Sequence, residues 1–108
     1  MPSPPFEVAL TDAARADLYA IEDYWTERGE GWRGEKYFDD LAETARRELC
    51  DPITARRGRP VRNKHRPEAR EILAFGIYRI IYEIDETAGI VNVLRFWHAH
   101  RHEPRSEL

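Results

Sequence analysis

A single change of hydrophobic period constrains the fold more than any other feature. Residues 11–49 carry apolar side chains at helical spacing, whereas residues 70–100 hold β-branched and aromatic residues in strand-like runs. Helices do not alternate with these late strands, so an α+β arrangement is expected rather than a doubly wound parallel sheet. Before the helical region, "FEVAL" (6–10) alternates apolar and polar residues and reads as a short strand. In "TDAARADLYAIEDYWTERG" (11–29), Thr11 suits an N-cap and Asp12 suits the positive end of the helix dipole. Ala14, Leu18, Ile21 and Trp25 form one face, and Gly29 is the stop. A second helix runs from about Trp32 to Leu49, with Phe38, Leu41, Ala45 and Leu49 as its stripe and Trp32 and Tyr37 beside it. Pro52 ends it.

"DPITARRGRPVRNKHRP" (51–67) reads as a long basic loop, of a length that is uncommon in a compact domain and often functional. Strands are expected at 70–75, 77–85 and 90–100, separated by Gly76 and by the turn "ETAG", as an antiparallel meander. The expected order is therefore β-α-α-β-β-β, an antiparallel sheet with a helical hairpin packed on one face. Residues 1–5 are expected to be a flexible N-terminal arm, 6–101 a single domain and 102–108 a C-terminal tail. Leu10, Leu18, Ile21, Leu41 and Ile80 are the expected core.

The chain has 108 residues and one cysteine, Cys50, so an internal disulfide is excluded. The N-terminus has no secretory pattern and no apolar run is long enough to span a membrane, which makes a cytoplasmic protein the expectation. Net charge is −3, against a bulk nucleic-acid binder. Its distribution is uneven. Residues 1–51 hold 6 Lys+Arg and 13 Asp+Glu, net −7, and residues 52–108 hold 11 and 7, net +4. The carboxylates Glu22, Asp23, Asp39 and Asp40 read as solvated helix faces.

Two arginines interrupt the most strand-like segments, Arg79 in "IYRIIYEID" and Arg95 in "IVNVLRFWHAH". A turn pairing Ile84 with Ile90 would set Arg79 opposite Arg95, Ile80 opposite Leu94 and Tyr78 opposite Phe96. Tyr78, Ile80, Tyr82, Ile84, Ile90, Leu94 and Phe96 would then face the helices. Ile77, Arg79, Ile81, Val91, Val93, Arg95 and Trp97 would form an open face. Paired like charges cost stability unless an anion joins them, from the chain's own Glu71 or Glu83, a partner or a phosphate. The half-apolar, half-cationic surface suits an amphipathic partner segment. His98, His100 and His102 would share a strand face at metal-ligand spacing, but no Cys joins them, and exposed or locally bonded histidines are the favoured reading. No phosphate loop or nucleophile elbow is present.

Three stretches together resemble the ParE branch of the RelE/ParE toxin superfamily. The first is Thr11, Ala14, Asp17, Leu18, Ile21 and Tyr24. The second is Gly58, Arg59 and Pro60 followed by Tyr78, Arg79, Ile80 and Tyr82, and the third is Leu94, Arg95, His98 and Arg101. The resemblance covers about residues 6–101. It implies the toxin of a type II toxin–antitoxin pair, bound by a ParD-like antitoxin in a hetero-oligomer and poisoning DNA gyrase by trapping it on cleaved DNA. Operator binding would belong to the antitoxin, so no sequence-specific DNA contact is expected of this chain. Neither a cofactor nor a metal is implied. Arg79, Arg95 and Trp97 are the expected antitoxin contacts, and Arg59, Arg62, His98 and Arg101 the target candidates. Two alternatives stay open. One is a RelE-like ribosome-dependent mRNA endoribonuclease, with Arg79, Arg95, His98 and His100 as its catalytic set. The other is a homologue without a target that only binds peptide. Enzymatic activity is thus undecided, with the non-catalytic toxin favoured.

Overall fold

The computed structural model describes residues 4–108. Most of the expected arm, residues 1–3, lies outside the described residues; Pro4 and Pro5 are exposed and outside regular structure. The chain then forms β1 (Glu7–Leu10), α1 (Asp12–Glu27), α2 (Gly31–Leu49), α3 (Pro52–Arg56), β2 (Arg59–Pro60), β3 (Arg70–Ala74), β4 (Tyr78–Asp85) and β5 (Ile90–His98). The expected β-α-α-β-β-β order is present, with α3 and β2 added inside the stretch read as a loop.

Local chemistry explains the boundaries. The Thr11 side chain accepts a hydrogen bond from Ala14 N at 3.2 Å and caps α1. Pro52 ends α2 but also starts α3 at its first turn, where Asp51 caps by accepting from Ile53 N at 3.0 Å. α1 and α2 approach closely because residue 34 is glycine; a Cβ there would lie 2.7 Å from Glu22 O.

The sheet has the order β1-β5-β4-β3-β2. The meander β3-β4-β5 is antiparallel as expected, while β1 joins β5 in parallel, so the sheet is mixed. α1 and α2 cover one face through Leu18, Leu41, Ala45 and Leu49, which meet Ile80, Tyr82, Val91, Val93 and Phe96. Leu18, Leu41 and Ile80 are buried as expected; Leu10 and Ile21 pack against the core only partly buried.

The expected register is corrected by two one-residue shifts: at the turn Ile84 pairs with Val91 rather than Ile90, and a bulge follows. Tyr82 pairs with Val93 but Ile81 pairs with Arg95, so Leu94 is an extra residue in β5. Arg79 consequently lies opposite Trp97, and Arg95 opposite Ile81. Val91 and Val93 point to the helices, and Leu94 points away with Ile81 and Trp97. The assignment of Tyr78, Ile80, Tyr82 and Phe96 to the covered face holds, since it concerns β4 and the part of β5 beyond the bulge.

The second face is not open. Val61 and Ala69 from the 61–69 segment and Leu108 from the tail pack on Ile81, Leu94 and Trp97. Pro104 is fully buried there. Apolar side chains at these positions make a second, smaller core that alternation within the strands did not announce.

Candidate functional site

The arginines occupy this second layer. Arg79 is 6% exposed, and its Nε donates to Glu71 Oε2. Its two terminal nitrogens donate to the Glu103 carboxylate of the tail at 3.1 and 3.2 Å. Glu71 also accepts from Arg59 Nε at 2.9 Å. Burial works against the Arg79 charge, but the bonds from Glu71 and Glu103 outweigh it and raise the guanidinium above its ordinary value. Arg95 makes a two-pronged contact with Asp17 of α1, 2.7 Å on each arm, which raises its pKa. Asp17 also accepts from Phe96 N at 3.0 Å, beyond the point where β1 stops pairing with β5. A helix side chain thus continues the edge that the strand leaves.

The tail is held at several points. Trp97 Nε1 donates to His102 O at 2.9 Å, Arg95 Nη1 donates to Glu107 O at 3.2 Å, and Asn63 Nδ2 donates to Pro104 O at 2.9 Å. The Arg105 backbone N–H, with help from His102, pulls the Glu107 carboxylate down to about 2. Trp97, expected on an open surface, is fully buried, with Arg101 stacked 3.7 Å from its ring centroid.

The other candidates divide between places. β5 ends at His98, so the three histidines do not line one strand face. His98 packs edge-on against Tyr78 on the helix side of the sheet, His100 N donates to His98 Nδ1 at 3.2 Å, and His102 pairs with Glu107 at 3.3 Å. No group of three metal-ligating side chains occurs among the described residues. Arg79 lies on the tail side and His98 on the helix side, while Arg95 is held by Asp17 of α1, so the four residues of the nuclease alternative do not gather at one point. Among the target candidates, Arg59 is on β2 and His98 ends β5, with β3 and β4 between them. Arg62 is exposed on the 61–69 segment. That basic segment is anchored rather than free. Asn63 Oδ1 accepts from His65 N and Arg66 N at 2.9 and 3.0 Å, and Val61 N donates to Ala69 O at 2.9 Å.

Sequence reasoning missed an aromatic groove of ≈ 580 Å³ between α1 and the ends of β4 and β5. Trp25 stacks on Tyr37 at 5.8 Å, Tyr37 meets Tyr78 at 5.6 Å, and His98 and Arg101 complete the lining. The Trp25 Nε1 is buried without an acceptor among the described residues. Burial raises the Tyr78 phenol, and the nearby Trp25 indole opposes part of that rise. The signal was present as Ile21 and Trp25 one turn apart, with Tyr37 entering from the next helix.

Residues 8–103 match the family described as ParE toxin of type II toxin-antitoxin system, parDE. The fold is similar to that in the toxin-antitoxin complex RelBE2 from Mycobacterium tuberculosis, with TM-score 0.65, 24% identity, and coverage of 90% of this chain and 94% of that one. It is also similar to the chromosomal ParDE system from P. aeruginosa, with TM-score 0.73, 22% identity, and coverage of 89% and 98%. No curated protein matches the chain.

Proposed function

Because the chain belongs to the ParE toxin family of type II toxin–antitoxin systems, we propose that it is held by a ParD-like antitoxin and poisons DNA gyrase by trapping it on cleaved DNA. The observation that carries this over the nuclease alternative is that both arginines are engaged by the chain's own carboxylates, Arg79 by Glu71 and Glu103 and Arg95 by Asp17, with Arg79 on the face of the sheet opposite His98. General acid–base cleavage of a phosphodiester needs such groups around one phosphate. The sequence pI near 5.8 also suits a protein target better than ribosomal RNA. No helix among the described residues is long and apolar enough to cross a membrane. The reading places the toxin in the cytoplasm, where its target would be.

Antitoxin binding at Arg79, Arg95 and Trp97 takes the form of exchange. An acid-bearing segment would replace Glu103 at Arg79, where the tail carboxylate is 61% exposed and therefore the weaker of the two partners. Glu103→Ala should tighten antitoxin binding measured by calorimetry; an unchanged Kd would leave these arginines to the fold alone. Arg59, Arg62, His98 and Arg101 remain the target contacts of this reading.

The deciding experiment is a gyrase assay with the purified chain, scoring supercoiling and linear plasmid. Dose-dependent linear DNA, suppressed by the antitoxin, is expected. No effect at micromolar protein with the fold intact would overturn the gyrase assignment and direct attention to translation-coupled mRNA cleavage.

A further inference from the structure

We propose that the anchored 61–69 segment, through Arg62 and Lys64 together with Arg105 of the tail, grips the phosphate backbone of duplex DNA. The choice of DNA over other polyanions rests in part on the gyrase reading above; the patch itself rests on the structure.

Most carboxylates near this edge are paired, with exposed Glu68 the exception. Arg56 is bonded to Glu86, Arg59 to Glu71 and Arg66 to Glu83, while Glu103 is bonded to Arg79 and Glu107 is engaged within the tail. Arg62, Lys64 and Arg105 are exposed and have no carboxylate partner among the described residues. Tertiary structure brings them together. Asn63 Nδ2 donates to Arg105 O at 2.7 Å, so a residue 42 positions away stands beside Arg62 and Lys64. The same asparagine side chain fixes the turn at His65 and Arg66, so the cations project from a held backbone.

The chemistry of the surroundings selects the partner. Exposed large apolar residues end at Ile53 and resume at Leu73, leaving the segment without one. A docked peptide needs apolar anchors, whereas a phosphate backbone needs only cations. Unstacked bases need aromatic platforms, and the segment has no tryptophan, tyrosine or phenylalanine between residues 54 and 74, which disfavours single strands. The acidic helices lie on the opposite side of the sheet and repel phosphate, so only the basic edge can face a duplex.

The test is fluorescence anisotropy of the full chain with a 20-base-pair DNA duplex, without gyrase. Three phosphate contacts predict a log–log salt slope of about −2.7, a loss of about 40-fold between 50 and 200 mM salt. The double variant Arg62→Glu, Lys64→Glu should abolish binding, and Lys36→Glu on α2 should leave it unchanged. Circular dichroism confirms the fold of each. Undiminished binding by the double variant, a flat salt response, or tighter binding of single-stranded DNA or of an RNA duplex would each overturn the proposal. The gyrase assay separates the two readings. DNA trapping by a wild type that does not bind free duplex sinks the patch alone; duplex binding without any effect on gyrase sinks the target alone.

Discussion

Glu71 accepts from both Arg59 and Arg79 while only 5% exposed, and Arg79 has no solvent to fall back on. Removing one partner of a buried pair leaves an uncompensated charge and costs about 3–5 kcal/mol. Glu71→Ala should therefore lose about 3 kcal/mol in urea unfolding, and Glu103→Ala, on the exposed side of the same arginine, less than about 1 kcal/mol. Equal losses would show that burial does not separate the two carboxylates. A different residue ties the tail to pH. Glu107 is depressed from 4.5 to about 2 in the folded chain, so the unfolded chain binds that proton more readily. Its contribution is complete above pH 4.5 and disappears as pH falls through about 2. The Arg105 amide, which donates to Glu107 Oε1 at 2.6 Å, should report this by NMR with a midpoint near 2. A midpoint at the ordinary carboxylate value would mean the contact does not form in solution.

Among the elements, the β3–β4 hairpin turns on Phe75 and Gly76, with φ of 55° and 70°. Two positive φ values suit Asn-Gly or Asp-Gly, and an aromatic at the first position is strained by about 1 kcal/mol. Phe75→Asn should stabilise the chain by roughly that amount, less the edge contact with Tyr37 at 6.3 Å. A clear loss in urea unfolding would show that the aromatic contact outweighs the strain. The opposite is expected at Gly58, which joins α3 to β2. A Cβ there would lie 1.8 Å from the Tyr82 hydroxyl, which is itself bonded to Ala55 O at 2.6 Å. Gly58→Ala should cost about 1–3 kcal/mol through overpacking. Helices and meander strands were legible because their periods extend over several turns or pleats. The bulge at Leu94 was not, since one inserted residue leaves composition and alternation looking regular on each side. α3 and β2 were hidden by their length, five and two residues, and by the Pro and Gly that also mark loops.

At the scale of the molecule, the tail closes a second core over the sheet. Truncation after Arg101 would uncover Trp97, Ile81 and Leu94 and remove Pro104 and Leu108. A loss of about 2–4 kcal/mol is expected, together with a red shift in tryptophan emission. An unchanged midpoint would mean that the tail only rests on the surface. Sequence alone determined the order of the long elements, the face of β4 that the helices cover and the separation of acidic from basic halves. These follow from periodicity and composition, which act over short stretches of chain. Tertiary structure alone decided the partners of the arginines. Asp17 lies 78 residues from Arg95, and Glu103 lies 24 from Arg79. Whether a cation on a strand meets a partner molecule or a carboxylate of its own chain depends on which distant segments cross it. A one-residue bulge and a folded-back tail set that crossing, and local preference carries no record of either.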